Sequence, residues 1–304
     1  MMIAEDLPVT DQINELSGSP LLVIVGETAS GKSALAMELA EQFNGEIICA
    51  DSRTAYKGMD IGTAKPSRAD QTKIKHYGLD VVEPGQLFNV ADFKSLADQA
   101  ITDITARGKL PILVGGSGLY IDAVIYDYQF MPSVDSAERE RLTSMTVEEL
   151  QAEIKSKGLQ MPNNLRNPRH LSRTIETSGQ VPARHELRAN TKIIGLTTPI
   201  DLLKERIKSR VESMFSHGLE QEVRQLADHN NWRVEAMKGV GYREFEDYFA
   251  GDQSLQQTKD RIILATIGLA KKQRTWFKRN SSIQWLTDPS QAVDIVTTLL
   301  NKSR

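Results

Sequence analysis

Hydrophobic positions along this chain fall into two alternating kinds of segment. Short, continuous apolar runs (LLVIV at 21–25, EIICA at 46–50, LPILV at 110–114 and KIIGL at 192–196) have the length and β-branched content of strands buried on both faces. Between them lie longer stretches of helical periodicity. SALAMELAEQF spans 33–43, and DFKSLADQAITDITAR spans 92–107 with Phe93, Leu96, Ala100 and Ile104 on one face. Strand and helix in alternation predict a parallel sheet covered by helices on both sides. From 133 to 189 the pattern turns charged and helical, with SAERERLTSM and TVEELQAEIKSKG, which predicts a helical insertion. Residues 21–132 and 190–304 then form the sheet domain, helical almost throughout from 199 onward. The first twenty residues carry four acids and no Lys or Arg and end in a Ser-Gly-Ser-Pro turn signal. They are expected to be a flexible tail, without the basic start and apolar run of a secretory signal.

Composition narrows the picture. With 40% hydrophobic and 25% charged residues over 304 positions, wholesale disorder is excluded. No apolar run approaches the ~20 residues of a membrane helix, so a soluble, cytoplasmic protein without a membrane partner is expected. The single cysteine, Cys49, rules out an internal disulfide and a multi-cysteine zinc site, and a buried strand position suits it. The histidines show no ligand spacing. A net charge of −3 leaves room only for a local basic face.

The most specific local signal is Gly26-Glu27-Thr28-Ala29-Ser30-Gly31-Lys32-Ser33, which fits G-x-x-x-x-G-K-[ST] between a predicted strand and helix. Its glycines let successive backbone N–H groups wrap phosphate oxygens at a helix N-terminus. Lys32 supplies positive charge, and the Ser33 hydroxyl is a candidate ligand for Mg²⁺. Hydrolases of this kind place a metal-binding acid at the end of a second apolar strand, but LPILV runs into Gly115-Gly116-Ser117-Gly118. The acid stands instead at Asp51, after EIICA. There it is placed to accept a proton from an attacking nucleophile, which favours group transfer; a simple turn-capping role with Ser52 is the plainer alternative.

DSRTAYKGMDIGTAKP (51–66) closely resembles the segment after the second strand of tRNA dimethylallyltransferases. VADF (90–93), LVGGSGLY (113–120), NPRHLSRTIE (167–176), HGLEQEV (217–223), VGYRE (240–244) and LAKKQRTWFKR (269–279) agree in the same order. The resemblance runs from about Leu21 to Arg279. It implies a P-loop NTPase-like parallel sheet with a mostly helical insertion and a helical C-terminal region. It also implies transfer of a dimethylallyl group from dimethylallyl diphosphate to N6 of the adenosine 3′-adjacent to the anticodon, with the phosphate loop gripping the leaving diphosphate and Mg²⁺ assisting. Asp51 would accept or orient the N6 proton, and Ser117 matches a threonine near the reacting amine. The tRNA-contacting stretches of the family fall here on Asp51, Ser52, Arg53 and Thr54, on Ser117 and Arg139, and on Arg169, His170, Leu171, Ser172 and Arg173. They fall also on Lys238, Gly239, Val240, Gly241, Tyr242 and Arg243, and on Lys271, Lys272, Gln273, Arg274, Thr275, Trp276, Phe277 and Lys278. The anticodon stem-loop is the partner so implied, and a monomer the expected state.

Independently of the resemblance, 259–279 holds seven Lys/Arg against one acid, Asp260. Helical spacing puts Ile262, Ala265, Leu269 and Trp276 on one stripe, with Lys271, Arg274 and Lys278 opposite, a face suited to phosphate or to plain solvation. Trp276 is expected to dock the helix, and His76 to support a loop. The chain also departs from its relatives. Glu27 stands where proline is usual, an acid unfavourable near a diphosphate unless it points outward. Thr54 replaces a common glutamine, Ser117 replaces threonine, and 140–190 is shorter than usual, so a trimmed insertion is expected. Three other functions share parts of this pattern: prenylation of free AMP or ATP, small-molecule phosphorylation, and catalytically silent tRNA binding. The basic C-terminal helix, the lack of an evident arginine-bearing lid, and the retention of Lys32, Ser33 and Asp51 argue against them in turn.

Overall fold

A computed structural model describes residues 18–130, 136–180 and 183–301. The tail expected over 1–20 lies, as far as residue 17, outside the described residues, as does the start of the insertion at 133–135.

Strand β1 (Leu21–Gly26) is buried along its whole length, and the chain turns directly into α1 (Lys32–Gln42), which packs Leu35, Ala36, Leu39 and Ala40 inward. β2 (Gly45–Ala50) follows, then α2 (Arg68–Lys73), started by a Ser67–Asp70 capping box, and a two-residue edge strand β3 (His76–Tyr77). α3 (Val90–Ala106) is capped by Asn89 with Asp92 and buries Phe93, Ala97, Ala100, Ile101 and Ile104, leaving Leu96 at the margin. β4 (Leu110–Gly115) leads into α4 (Gly118–Ile125).

Tyr126–Glu186 forms a compact unit of its own. It contains α5 (Ser136–Ser144), α6 (Val147–Ser156) and α7 (Pro168–Glu176), closed over a small core of Leu142, Leu150, Ile154, Leu171 and Ile175. Its two ends are tied together, since Gln129 bridges to Ala183 and His185 N donates to the Tyr126 carbonyl.

The sheet domain resumes with β5 (Thr191–Leu196), α8 (Ile200–Ser216), α9 (Leu219–His229), α10 (Glu246–Ala250) and α11 (Leu255–Phe277), and ends with β6 (Ile283–Leu286) and α12 (Ala292–Asn301). Six parallel strands lie in the order β3-β2-β4-β1-β5-β6. β1 lies centrally, so the loops after β1, β2 and β4 emerge together at the carboxyl edge, where parallel sheets bind ligands. Beyond 199 the described chain is mostly helical, as expected, with β6 the strand that interrupts it. It has only four residues and half-exposed positions, so no apolar run announces it.

α11 also departs from its expected register. It buries Thr258, Ile262, Ala270 and Phe277, while Leu269 and Trp276 are 38% and 37% exposed. Beyond Ile262 the inward stripe is displaced by one residue. A helix with apolar residues on two adjacent faces can bury either, and the cluster containing Leu203, Ile207, Tyr242 and Phe245 receives this one.

Candidate active site

Gly26 is required where β1 becomes the phosphate loop: a Cβ there would stand 2.5 Å from the Leu196 carbonyl oxygen and 2.8 Å from Ser30 Oγ. The loop then turns back on itself, Ser30 N donating to the Glu27 carbonyl at 3.2 Å, with Ala29 and Gly31 in the left-handed region at φ 63° and 93°. Such a backbone turns its amides toward one concavity. α1 begins at Lys32 without a side-chain cap, so its first N–H groups remain for an anion.

Lys32 Nζ donates to the Glu27 carbonyl at 3.3 Å. Burial pulls its pKa down to about 8; the neighbouring Arg210 guanidinium pushes the same way, while Asp51 and Glu27 oppose. Arg210 comes from α8, donating to Thr28 Oγ1 at 3.3 Å and the Thr63 carbonyl at 3.4 Å, and burial lowers its pKa too. Arg206, one turn earlier, reaches the Ala29 carbonyl at 3.5 Å. The sequence reading missed both arginines, although their i, i+4 spacing just after β5 was a usable signal. Arginines therefore do reach the loop, from α8 and not from a lid.

Asp51 and Ser117 meet across the ends of β2 and β4. Asp51 Oδ1 accepts from Arg53 N at 2.8 Å, so the carboxylate does cap a turn, two residues on, and its other oxygen has no hydrogen-bond donor among the described residues. Ser52 N donates to Ser117 Oγ at 3.2 Å, and Ser117 N to the Ala50 carbonyl at 3.2 Å. The glycines around Ser117 explain why no acid stands there. A Cβ on Gly115 would fall 2.0 Å from the Ala50 carbonyl oxygen, one on Gly116 2.3 Å from Gln273 Nε2, and one on Gly118 2.3 Å from Trp276 Cδ1. GGSG is thus the seat on which α11 docks. Trp276 lies there as expected, its Nε1 donating to Asp122 Oδ2 at 3.0 Å.

These groups share a cavity of about 1170 Å³, whose lining includes Lys32, Ser33, Asp51, Ser117, Arg210 and Lys272, with Ile207, Val211, Ile262 and Leu269 supplying apolar wall. The cavity exceeds the ~300–1,000 Å³ of a typical small-molecule site and has room for two reactants. Thr54 lines it, but the Thr54 hydroxyl donates to the Asp51 carbonyl at 3.3 Å. Arg53 donates to the Glu235 backbone carbonyl and, at 3.2 Å, to its carboxylate. His76 also lines the cavity; its Nδ1 bonds the Ile74 carbonyl at 2.7 Å and burial lowers its pKa, which fits a supporting part. Cys49 is buried in β2, its thiol pushed up to about 12 chiefly by burial, so it is inert. Ser33 is exposed in the cavity, and among the described residues no group of three or more His, Cys, Asp or Glu could hold a metal. One hydroxyl beside a phosphate loop suits Mg²⁺, which keeps most of its waters and takes its remaining ligands from substrate phosphates.

Several residues of the expected RNA-contacting runs are buried or paired within the protein. Leu171, Tyr242 and Phe277 are buried at 0%, 0% and 1%, and Gly239 and Gly241 are buried as well. Tyr242 lies against Gly62 and donates to Glu222 Oε1 at 2.7 Å. Glu222, on α9, also accepts the backbone amides of Asp60, Ile61 and Gly62 at 2.7–3.0 Å, so this acid of the Gly-Leu-x-x-Glu-Val motif pins the loop that carries Thr63 and Lys65. Arg139 and Arg173 both pair with Glu176, at 3.5 and 3.1 Å. Lys238, Arg243, Lys271, Lys272 and Lys278 are exposed, Lys238 and Arg243 also pairing with Glu235 and Glu244. Arg274 is not exposed. It shares the buried face of α11 with Ala270 and Phe277, and its Nη2 bonds Glu27 Oε1 at 2.6 Å. Glu27 in turn points inward, wholly buried, instead of outward.

Comparisons with known proteins show the family and the fold. The family model described as IPP transferase matches residues 54–280. A tRNA dimethylallyltransferase of Roseiflexus sp. (strain RS-1) is 38% identical over 296 residues, 91% of this chain and 95% of its own. That of Bacillus subtilis (strain 168) is 36% identical over 292 residues, 91% and 93% of the two chains. Among solved structures, the full-length tRNA isopentenylpyrophosphate transferase of Bacillus halodurans matches with a TM-score of 0.73 and 32% identity over 93% of this chain and 97% of its own. A eukaryotic dimethylallyltransferase acting on tRNA shares the fold, with a TM-score of 0.79 at 23% identity over 94% and 80%. With its phosphate loop, its Asp51–Ser117 pair and a family match over most of its length, the chain belongs to the tRNA dimethylallyltransferase (IPP transferase) family.

Proposed function

We propose that this protein transfers a dimethylallyl group from dimethylallyl diphosphate to N6 of the adenosine 3′-adjacent to the anticodon in tRNA, releasing diphosphate. The observation that carries the assignment is one cavity into which Lys32, Arg210 and the carboxylate of Asp51 all open. As the allylic C–O bond breaks, charge gathers on the departing diphosphate, and the loop amides, Lys32 and Arg210 stabilise it more in the transition state than in the ground state. Mg²⁺ held at Ser33 would add Lewis-acid neutralisation of the same oxygens. The new bond joins N6 to the allylic carbon. The N6 proton passes to the Asp51 carboxylate, whose second oxygen is open, while Arg53 N holds the first. Ser117 Oγ, accepting from Ser52 N, keeps its hydroxyl hydrogen to orient the adenine. The base has to leave its stack to enter, since its amine is out of reach inside the anticodon loop.

The test offers labelled dimethylallyl diphosphate and Mg²⁺ with unmodified tRNA and, separately, with AMP. Label at N6 of the tRNA alone is expected, and Asp51→Ala should lower turnover by about 10²–10⁴-fold while tRNA still binds. Label on AMP alone, or full turnover by the variant, would refute the acceptor or the assigned base respectively.

A further inference from the structure

Glu27 sits inside the phosphate loop and is 0% exposed. Its Oε1 accepts from Thr198 N at 2.9 Å and from Arg274 Nη2 at 2.6 Å, and the same Nη2 donates to the Thr198 carbonyl at 2.6 Å. Its Oε2 is buried without a hydrogen-bond partner. The next residue, Thr28, donates its amide to Gln273 Oε1 at 2.8 Å. Two consecutive residues of the loop are therefore bonded to two consecutive residues of α11. A carboxylate in this place, left unpaired, would repel the anion the loop is built to hold, and Arg274 is the cation that meets it, itself only 23% exposed.

We propose that Arg274 is a positioning residue of the donor site rather than an RNA contact: paired with Glu27, it neutralises the acid and ties the phosphate loop to α11 in its anion-binding shape. The pair accounts for how this chain tolerates an acid where its relatives usually have proline. It also gives α11 a place on both sides of the reaction, with exposed lysines on one face and the loop's counter-charge on the other. The donor role rests on the diphosphate-binding function proposed above.

The experiment is a double-mutant cycle over Arg274→Leu, Glu27→Gln and the double variant, with Arg274→Lys as the conservative control. Binding of inorganic diphosphate, the KM and kcat for dimethylallyl diphosphate, and the salt dependence of tRNA binding are measured for each. Arg274→Leu is expected to raise the diphosphate Kd and the donor KM by about tenfold or more, because a buried charge loses its partner. Its tRNA salt slope should stay at the wild-type value. Adding Glu27→Gln should return diphosphate affinity to within about threefold of wild type, and Arg274→Lys should retain part of it. Additive losses would overturn the proposal, as would an unchanged donor KM with a salt slope reduced by about one, the mark of a lost phosphate contact. If Arg274→Leu does not fold, the double variant decides: near-wild-type diphosphate affinity upholds the pairing and loss of that affinity refutes it. Failure of the wild type to bind diphosphate would refute the donor-loop assignment itself, and the pair's donor role with it.

Discussion

Lys32 is the residue whose charge state matters most. Its pKa of about 8, against an ordinary 10.5, comes mainly from burial. Below pH 8 the folded chain bears the cost of a buried cation. Between 8 and 10.5 the unfolded chain binds more protons than the folded one, so that cost is relieved as pH rises. Ligand affinity runs the opposite way, because a diphosphate favours charged Lys32. Diphosphate binding should therefore weaken as pH rises through about 8 and should take up a proton near pH 8.5. Calorimetry in two buffers of different ionisation enthalpy reads this directly, and identical heats would refute it. The loop motif and Asp51 were legible in the sequence because their spacing is local. Arg210 and Arg206 were not, since only tertiary packing brings α8 to Thr28 and Ala29, some 180 residues away in sequence.

At the scale of elements, helix existence was legible and helix facing was not. α11 shows both: its length follows from periodicity, yet which stripe turned inward was decided by the cluster around Ile207 and Phe245. That one-residue displacement carried Arg274 from the expected cationic face into the phosphate loop. α9 offers a sharper test of how elements hold the cavity. Glu222 accepts four hydrogen bonds, three from consecutive amides of the 60–62 loop and one from Tyr242. Glu222→Ala should cost about 2–4 kcal/mol of stability, from charge-assisted bonds lost together and amides left unpaired. A urea midpoint unchanged from wild type would contradict this. Glu222→Gln, which keeps an acceptor, should lose less.

At the scale of the whole molecule, charge is separated by function: a chain of net charge −3 presents exposed lysines at Lys271, Lys272 and Lys278 on the helix that borders the cavity. Replacing Lys271 and Lys278, which lie outside the cavity lining, with alanine should weaken tRNA binding and lower the slope of log K against log salt by roughly one per lysine. The donor KM should be unaffected. An unchanged slope would place the RNA on another surface. The unit at Tyr126–Glu186 has its own small apolar core, which includes Leu171, so within the expected contact run 169–173 only the polar side chains are available to a partner.

What the sequence determined by itself is what depends on neighbours along the chain. Buried strands read as apolar runs, the phosphate loop as glycine and lysine at fixed spacing, and the family as seven motifs in order. Tertiary structure decided what depends on segments far apart: the arginines of α8 at the loop, the glycine seat for α11, and the pairing of Glu27 with Arg274. A residue's charge and size are written in the chain, but its partner is settled only when the elements pack.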